Sequence, residues 1–326
     1  MLNFVRLSRL LLGVGALSLF LLLAGSASAV TIDWVTVGDP GNAADPAVGQ
    51  GCSAGGCFGS VAETYRISKT EVTNAQYAEF LNAKAAADPN ALYNANMGSG
   101  FGGITRSGSS GSFTYSAIAG RENKPVNYVS FYDSLRFSNW LNNGQGSGDT
   151  ETGAYTITAL GITDNSITRN AGANIFLTSE DEWYKAAYYD AVTTSYFAYP
   201  AGSDTQTACT VPGATANTAN CLSAVGDVTD VASYTGSASP NGTFDQGGNV
   251  WEWNEAILFG SGRGWRGGGF LSSGPFNLAA SFQSGGNPSI GFDFLGFRVA
   301  SIPEPGTGLL LMTGLLGVAI RQRRYA

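Results

Sequence analysis

At 326 residues the chain is long enough for one large domain or two small ones, and its 44% hydrophobic and 12% aromatic content can bury a core, which excludes a disordered protein. Only 13% of residues are charged, about half the usual share, while 45 glycines are about double it, so long loops and a weakly charged surface are expected. The formal net charge of −7 argues against a nucleic-acid partner, and the lack of any histidine excludes Ser-His-Asp and Cys-His catalysis.

Met1–Ala29 reads as a secretory signal. Arg6 and Arg9 precede an apolar run from Leu10 to Ala24, and Ala27-Ser28-Ala29 suits cleavage after small residues. A retained membrane helix is the other reading of this segment. At the far end, Pro303-Glu304-Pro305 leads into the apolar run Leu309–Ile320 and then Arg321, Arg323 and Arg324. That run is short for an independent span. The arrangement resembles the PEP-CTERM sorting tail of Gram-negative bacteria, which implies an exosortase-type partner and a basic end left in the cytoplasm. A bare C-terminal membrane anchor is the alternative. The expected organisation is thus a signal over 1–29, one domain over 30–301 and a sorting tail over 302–326. Without both ends the chain keeps 12 bases and 23 acids, a net charge of −11 that suits cation binding.

Four cysteines fall in two close pairs, Cys52/Cys57 and Cys209/Cys221. Four allow three pairings, and in an exported chain the two local disulfides are expected. Zinc at Cys52 and Cys57 is the other reading, but no histidine or third nearby thiol completes a site.

Along the domain, Val30–Val37 reads as an opening strand, followed by a glycine-rich loop over Gly38–Gly59 and a short strand at Thr64–Ile67. Thr73 and Gln76 form a capping box for a first helix with Tyr77, Phe80 and Leu81 on one stripe. Residues 85–123 are a Gly/Ser/Asn-rich insertion. Ser130 and Asp133 start a second helix that stops near Gly144 and turns Leu135, Phe137, Trp140 and Leu141 inward. Thr156–Thr158 and Ser166–Thr168 read as a β pair. A third helix begins at Thr178 or Ser179, with Trp183, Ala186 and Ala187 inward and Asp181 and Lys185 as a surface pair. Residues 191–241 are again loop-rich. Trp251–Trp253, Gly264–Phe270 and Phe297–Ala300 are strand candidates. The class is irregular α+β.

The densest stretch is Asp245–Trp253, with two carboxylates, two glycines, two amides and two tryptophans in nine residues. Glycines let carbonyls converge, and hard oxygens suit Ca²⁺. The plainer reading is a glycine turn entering a Trp-rich strand. GNVWEW resembles the hallmark of the formylglycine-generating enzyme (sulfatase-modifying-factor) family. EVTNAQYAEFLNA (Glu71–Ala83), KPVNYVSFYDSLRFSNWLN (Lys124–Asn142), LTSEDEWYKAAYY (Leu177–Tyr189), RGGGF (Arg266–Phe270) and GFRVA (Gly296–Ala300) resemble it in the same order. The resemblance implies the formylglycine-generating-enzyme variant of the C-type-lectin-like fold. It implies structural calcium held by Asp245, the Gly248 and Val250 carbonyls and Glu252. It further suggests a second ion at Asn220, the Cys221 carbonyl and Asp227.

Family oxidases carry two copper-binding cysteines soon after the glycine turn, and copper(I) needs soft thiolates. Here those positions fall on Ser272 and about Asn277, and no cysteine follows Cys221. Copper is therefore not expected, and a non-catalytic, calcium-stabilised surface or matrix protein is the leading expectation. A sulfatase-modifying-factor-type oxidase with an altered metal site is the alternative, and a purely structural matrix protein a third. A glycan or peptide groove would be lined by Trp265, Phe270, Ser272, Ser273, Asn277, Phe282 and Gln283, unless Trp265 and Phe270 are core.

Overall fold

The computed structural model describes residues 29–46, 57–258, 260–272 and 274–303. The expected signal segment up to Ser28, Cys52, Ser273 and the tail from Glu304 onward lie outside them.

In chain order the strands are β1 (Trp34–Val37), β2 (Tyr65–Ser68), β3 (Ile104–Ser107), β4 (Thr114–Ala117), β5 (Ile175–Leu177), β6 (Tyr189–Asp190) and β7 (Ser195–Tyr196). They continue as β8 (Ala208–Cys209), β9 (Thr218–Ala219), β10 (Trp251–Leu258), β11 (Gly262–Arg266), β12 (Ser284–Gly286), β13 (Leu295–Phe297) and β14 (Val299–Ser301). The helices are α1 (Asn74–Lys84), α2 (Phe131–Asn142), α3 (Ala159–Thr163) and α4 (Glu180–Tyr188).

Three helices start where the sequence signals them. Thr73 with Gln76, Ser130 with Asp133 and Ser179 with Glu182 each form a reciprocal capping box that satisfies otherwise orphaned N–H groups. Two four-stranded sheets carry the core, in the orders β1-β2-β14-β5 and β12-β11-β10-β13. Within these two sheets every pairing is antiparallel except β10 with β13, which is parallel. Aromatic rings join α1 and α2 to β13. Tyr77 and Phe80 meet at 5.3 Å, Phe80 and Phe137 at 5.4 Å, and Phe137 and Phe297 at 5.3 Å between centroids. Such ring pairs add about 0.5–1.5 kcal/mol each beyond area burial.

Several expectations are corrected. The opening strand starts at Trp34, not Val30. No β pair joins Thr156–Thr158 to Ser166–Thr168. Thr158 instead caps α3 with its hydroxyl on Gly161 N, and a single bridge joins Tyr155 to Arg169. A hydroxyl free to cap a turn outweighs the β preference of threonine there. Lys185 is not on the surface: it is fully buried, and its Nζ donates to the Asp39 carbonyl at 2.7 Å. Asp181 accepts from Gly59 N at 2.8 Å instead of pairing with it. The insertion folds in part, as the β3–β4 hairpin. Cys209 and Cys221 form the expected disulfide across the loop-rich region, with a Cα–Cα distance of 5.0 Å. Cys57 is also disulfide-bonded.

Candidate functional site

The Asp245–Trp253 loop is threaded between two other segments. Gly248 N donates to Gly267 O and Asn249 N to Asn220 O, both at 2.8 Å, while Asn249 O accepts from Phe270 N at 2.7 Å. Gly248 has φ +89°, and a Cβ there would sit 2.5 Å from the Asn220 carbonyl, so only glycine fits. The Asn249 amide ties the loop inward. Its Oδ1 accepts from Thr229 N at 2.9 Å, and its Nδ2 donates to Glu71 Oε1 at 3.2 Å.

Below the loop lies a buried charge cluster. Glu252 and Arg298 form a bidentate pair, with Nε to Oε2 at 2.6 Å and Nη2 to Oε1 at 2.7 Å. Both side chains are wholly out of water. Trp183 Nε1 adds a third donor to Glu252, at 2.7 Å. Asp245 is also buried, and its Oδ2 accepts from Ala232 N at 2.5 Å. Burial pushes its carboxyl up to about 6, against the opposing pull of that N–H and of Arg298. Glu71 is 1% exposed, and its Oε2 has no hydrogen-bond partner. Burial, then the charges of Asp245 and Glu252, push its carboxyl well above the usual range.

These positions fit calcium unevenly. Asp245 lines a polar cavity of about 20 Å³ with Thr218, Ser239, Thr243 and Gln246, which has room for one water-sized occupant. Gly248 and Val250 are buried in the same loop. The Glu252 carboxylate, by contrast, is fully engaged by a guanidinium and an indole. At the second expected site the Asp227 carboxylate faces Arg121, at 2.8 and 2.9 Å, with Lys124 at 3.5 Å. Burial works to raise Asp227, yet Arg121 holds it below the usual carboxylate range. Asn220 donates to the Asp227 carbonyl at 2.8 Å and leaves its own Oδ1 without a partner. Cys221 is buried beside it in the disulfide. Two cations thus stand where a second ion would need only oxygens. Among the described residues no three His, Cys, Asp or Glu side chains are grouped to hold a metal ion.

The expected groove divides. Trp265 and Phe270 are core: Trp265 packs edge-on to Trp253 at 4.9 Å, and Phe270 to Phe101 at the same distance. Ser272 is buried, and its hydroxyl accepts from Gly269 N at 2.6 Å to close the glycine turn. Asn277 is buried in a short 3₁₀ turn over Pro275–Leu278. Phe282 and Gln283 are half-buried near the surface. The rings that do reach solvent include two unforeseen ones. Phe282 stands 5.8 Å from Trp251 and 5.6 Å from the exposed Phe276.

Glu71, Arg121, Trp183 and Arg298 were also unforeseen as site residues. The signal available was a charged residue inside an otherwise apolar block: Glu71 beside Val72, and Arg298 between Phe297 and Val299. A charge buried that way demands a partner.

A family model described as the sulfatase-modifying factor enzyme 1-like domain matches residues 59–302, and the PEP-CTERM protein-sorting motif matches residues 301–324. Among solved structures, "Crystal Structure of CarF" is 21% identical with a TM-score of 0.57, covering 84% of this chain and 99% of that one. "Treponema denticola variable protein 1" is 19% identical with a TM-score of 0.53, covering 85% and 98%. At these identities the likeness concerns fold alone, and it agrees with the formylglycine-generating-enzyme variant of the C-type-lectin-like fold. No curated protein matches the chain. The sorting motif implies export and handling by exosortase-type machinery. Among the described residues no helix is long and apolar enough to cross a membrane.

Proposed function

Because this chain belongs to the sulfatase-modifying factor enzyme 1-like domain family, we propose that it is an exported binding or structural member whose loops are pinned by calcium and whose ligand face is aromatic. It acts at the cell surface or in the extracellular matrix of a Gram-negative bacterium, held at the membrane by its tail until that tail is processed.

The observation that carries the binding reading is the shelf of Trp251, Phe282 and Phe276, with Phe276 51% exposed. Flat rings beside short polar side chains suit the C–H faces of a glycan. The absence of any cysteine after Cys221 supports a non-catalytic role, since a hydroxyl and an amide cannot ligate copper(I) as thiolates do. For calcium, the support is Asp245 on its small polar cavity, with the Gly248 and Val250 carbonyls as further oxygens.

A glycan array tests the binding face. Binding is expected for the native chain, with a loss of about 1–3 kcal/mol in Trp251→Ala, the order found when a stacking ring is removed. An array without binders would favour a purely structural matrix role. Copper-dependent oxygen consumption on cysteine-containing peptides would favour an oxidase with an altered metal site.

A further inference from the structure

We propose that the glycan bound by this chain carries amino groups, and that one of its ammonium groups sits in an aromatic, acidic cleft between Tyr196–Asp204 and Ala279–Ser281. This rests on the glycan-binding reading above and names the class of sugar.

The cleft measures about 420 Å³, within the range of about 300–1,000 Å³ usual for ligand pockets. Three half-buried rings, Tyr196, Phe197 and Tyr199, line it with two acids, Asp45 and Asp204, and no lysine or arginine joins them. Asp45 is buried, and its Oδ2 accepts from the Tyr184 hydroxyl at 2.8 Å. Asp204 is exposed. Its Oδ1 accepts from Ala198 N at 3.0 Å, and its Oδ2 has no hydrogen bond among the described residues. Backbone bonds fix the walls before any ligand arrives. Ala280 N donates to Ala198 O and Phe197 N to Tyr188 O, both at 2.9 Å, while Tyr199 N donates to Ser203 O at 2.9 Å and so brings Asp204 round to face the rings.

This lining selects by charge. The negative faces of aromatic rings attract cations, the more so where water is displaced. A carboxylate oxygen adds a charge-assisted hydrogen bond to an ammonium. Two acids with no base beside them repel uronate and sulfate groups, and a neutral sugar leaves the free Asp204 oxygen without a charged donor. The cleft also adjoins the aromatic shelf. Ser281 on its wall is followed directly by Phe282, whose ring stands 5.6 Å from Phe276. Cleft and shelf thus share the segment 276–282, which suits neighbouring units of one chain, one stacked on a ring and the next held by its amine.

The test is calorimetry on the full chain in detergent with three probes: a β-linked glucosamine tetramer, its fully N-acetylated counterpart and tetralysine. The acetylated tetramer keeps the rings without the charge, and tetralysine keeps the charge without the rings, which separates recognition from attraction to the acidic domain as a whole. The glucosamine tetramer is expected to bind about tenfold more tightly than either. Asp204→Asn keeps an acceptor for Ala198 N, so its melting temperature should stay level while the preference for the amine disappears. Phe197→Ala should weaken the glucosamine tetramer more than the acetylated one. Equal affinity for the two sugar tetramers, equal affinity for tetralysine, or a native preference kept in Asp204→Asn would overturn the inference. Trp251→Ala should weaken both sugars alike, so a loss there without any amine preference would sink the inference and leave the glycan reading of the shelf standing. If neither sugar binds, the inference fails, and the glycan array decides the shelf separately.

Discussion

The two acid clusters around Arg169 and Arg298 look alike in composition and differ in completion. Arg169 reaches both oxygens of Glu182, at 2.8 and 2.7 Å, and both of Glu255, at 2.9 Å each, while Tyr155 adds a 2.5 Å hydrogen bond to Glu255. Every carboxylate oxygen there has a donor. The cluster also keeps some contact with water, with Arg169 and Glu255 side chains 21% and 19% exposed. Arg298 hydrogen-bonds one acid fully and acts on Glu71 and Asp245 only through its charge, and its pair with Glu252 is 0% exposed. An arginine surrounded by acids is therefore not in itself a sign of a balanced site. What decides is whether its N–H groups reach every oxygen, and whether water can make up the rest.

The comparison can be broken most severely at its dry end. Arg298→Met should cost about 3–5 kcal/mol in urea unfolding, because Glu252 is left charged and buried. A loss below about 1 kcal/mol would mean that Glu252 does not carry a buried charge. The next effect is one of pH. Asp133 is buried, and burial pushes its carboxyl up to about 6 despite two hydrogen bonds from Ser130 and a 3.6 Å approach by Arg136. Its folded pKa lies above its unfolded value of about 4, so its stabilising share is full below pH ~4 and is lost as pH rises through ~6. Asp133→Asn should flatten stability across that window, removing a change of up to ~3 kcal/mol. An unchanged pH profile would show that Asp133 ionises freely in the fold. The smallest effect is expected at the wetter cluster. Arg169→Met should cost about 1–3 kcal/mol, since water can solvate Glu255 in place of the guanidinium. A cost equal to that of Arg298→Met would show that partial exposure gives no relief.

Legibility in the sequence followed the range of each interaction. The three capping boxes were readable because Thr73/Gln76, Ser130/Asp133 and Ser179/Glu182 lie three residues apart, and the Cys209–Cys221 disulfide because its cysteines are close neighbours in the chain. The Asp245–Trp253 loop stood out through its own composition. Its partners did not. Arg298 lies 46 residues from Glu252, Arg121 lies 106 from Asp227, and Glu71 lies 178 from Asn249. No local spacing encodes such contacts. Lys185 was misplaced for the same reason, since an i,i+4 rule sees Asp181 but not Asp39, 146 residues away. Trp265 and Phe270 show the converse: aromatic residues beside glycines suit a groove or a core equally, and only packing separates the two.

The position of β14 ties the making of this domain to its sorting. It lies inside its sheet, between β2 and β5, and it is the last strand of the domain. The sorting motif begins at residue 301, within that strand. A chain threaded through a membrane from its N-terminus delivers this keystone last, just ahead of the address label. Until then β2 and β5 have open edges facing each other. Processing enzymes that meet the tail after the strand has docked would act on a finished molecule. Trimming as little as Val299–Ser301 would leave the β1–β2 pair and a lone β5 with exposed backbone, ready to pair with neighbours.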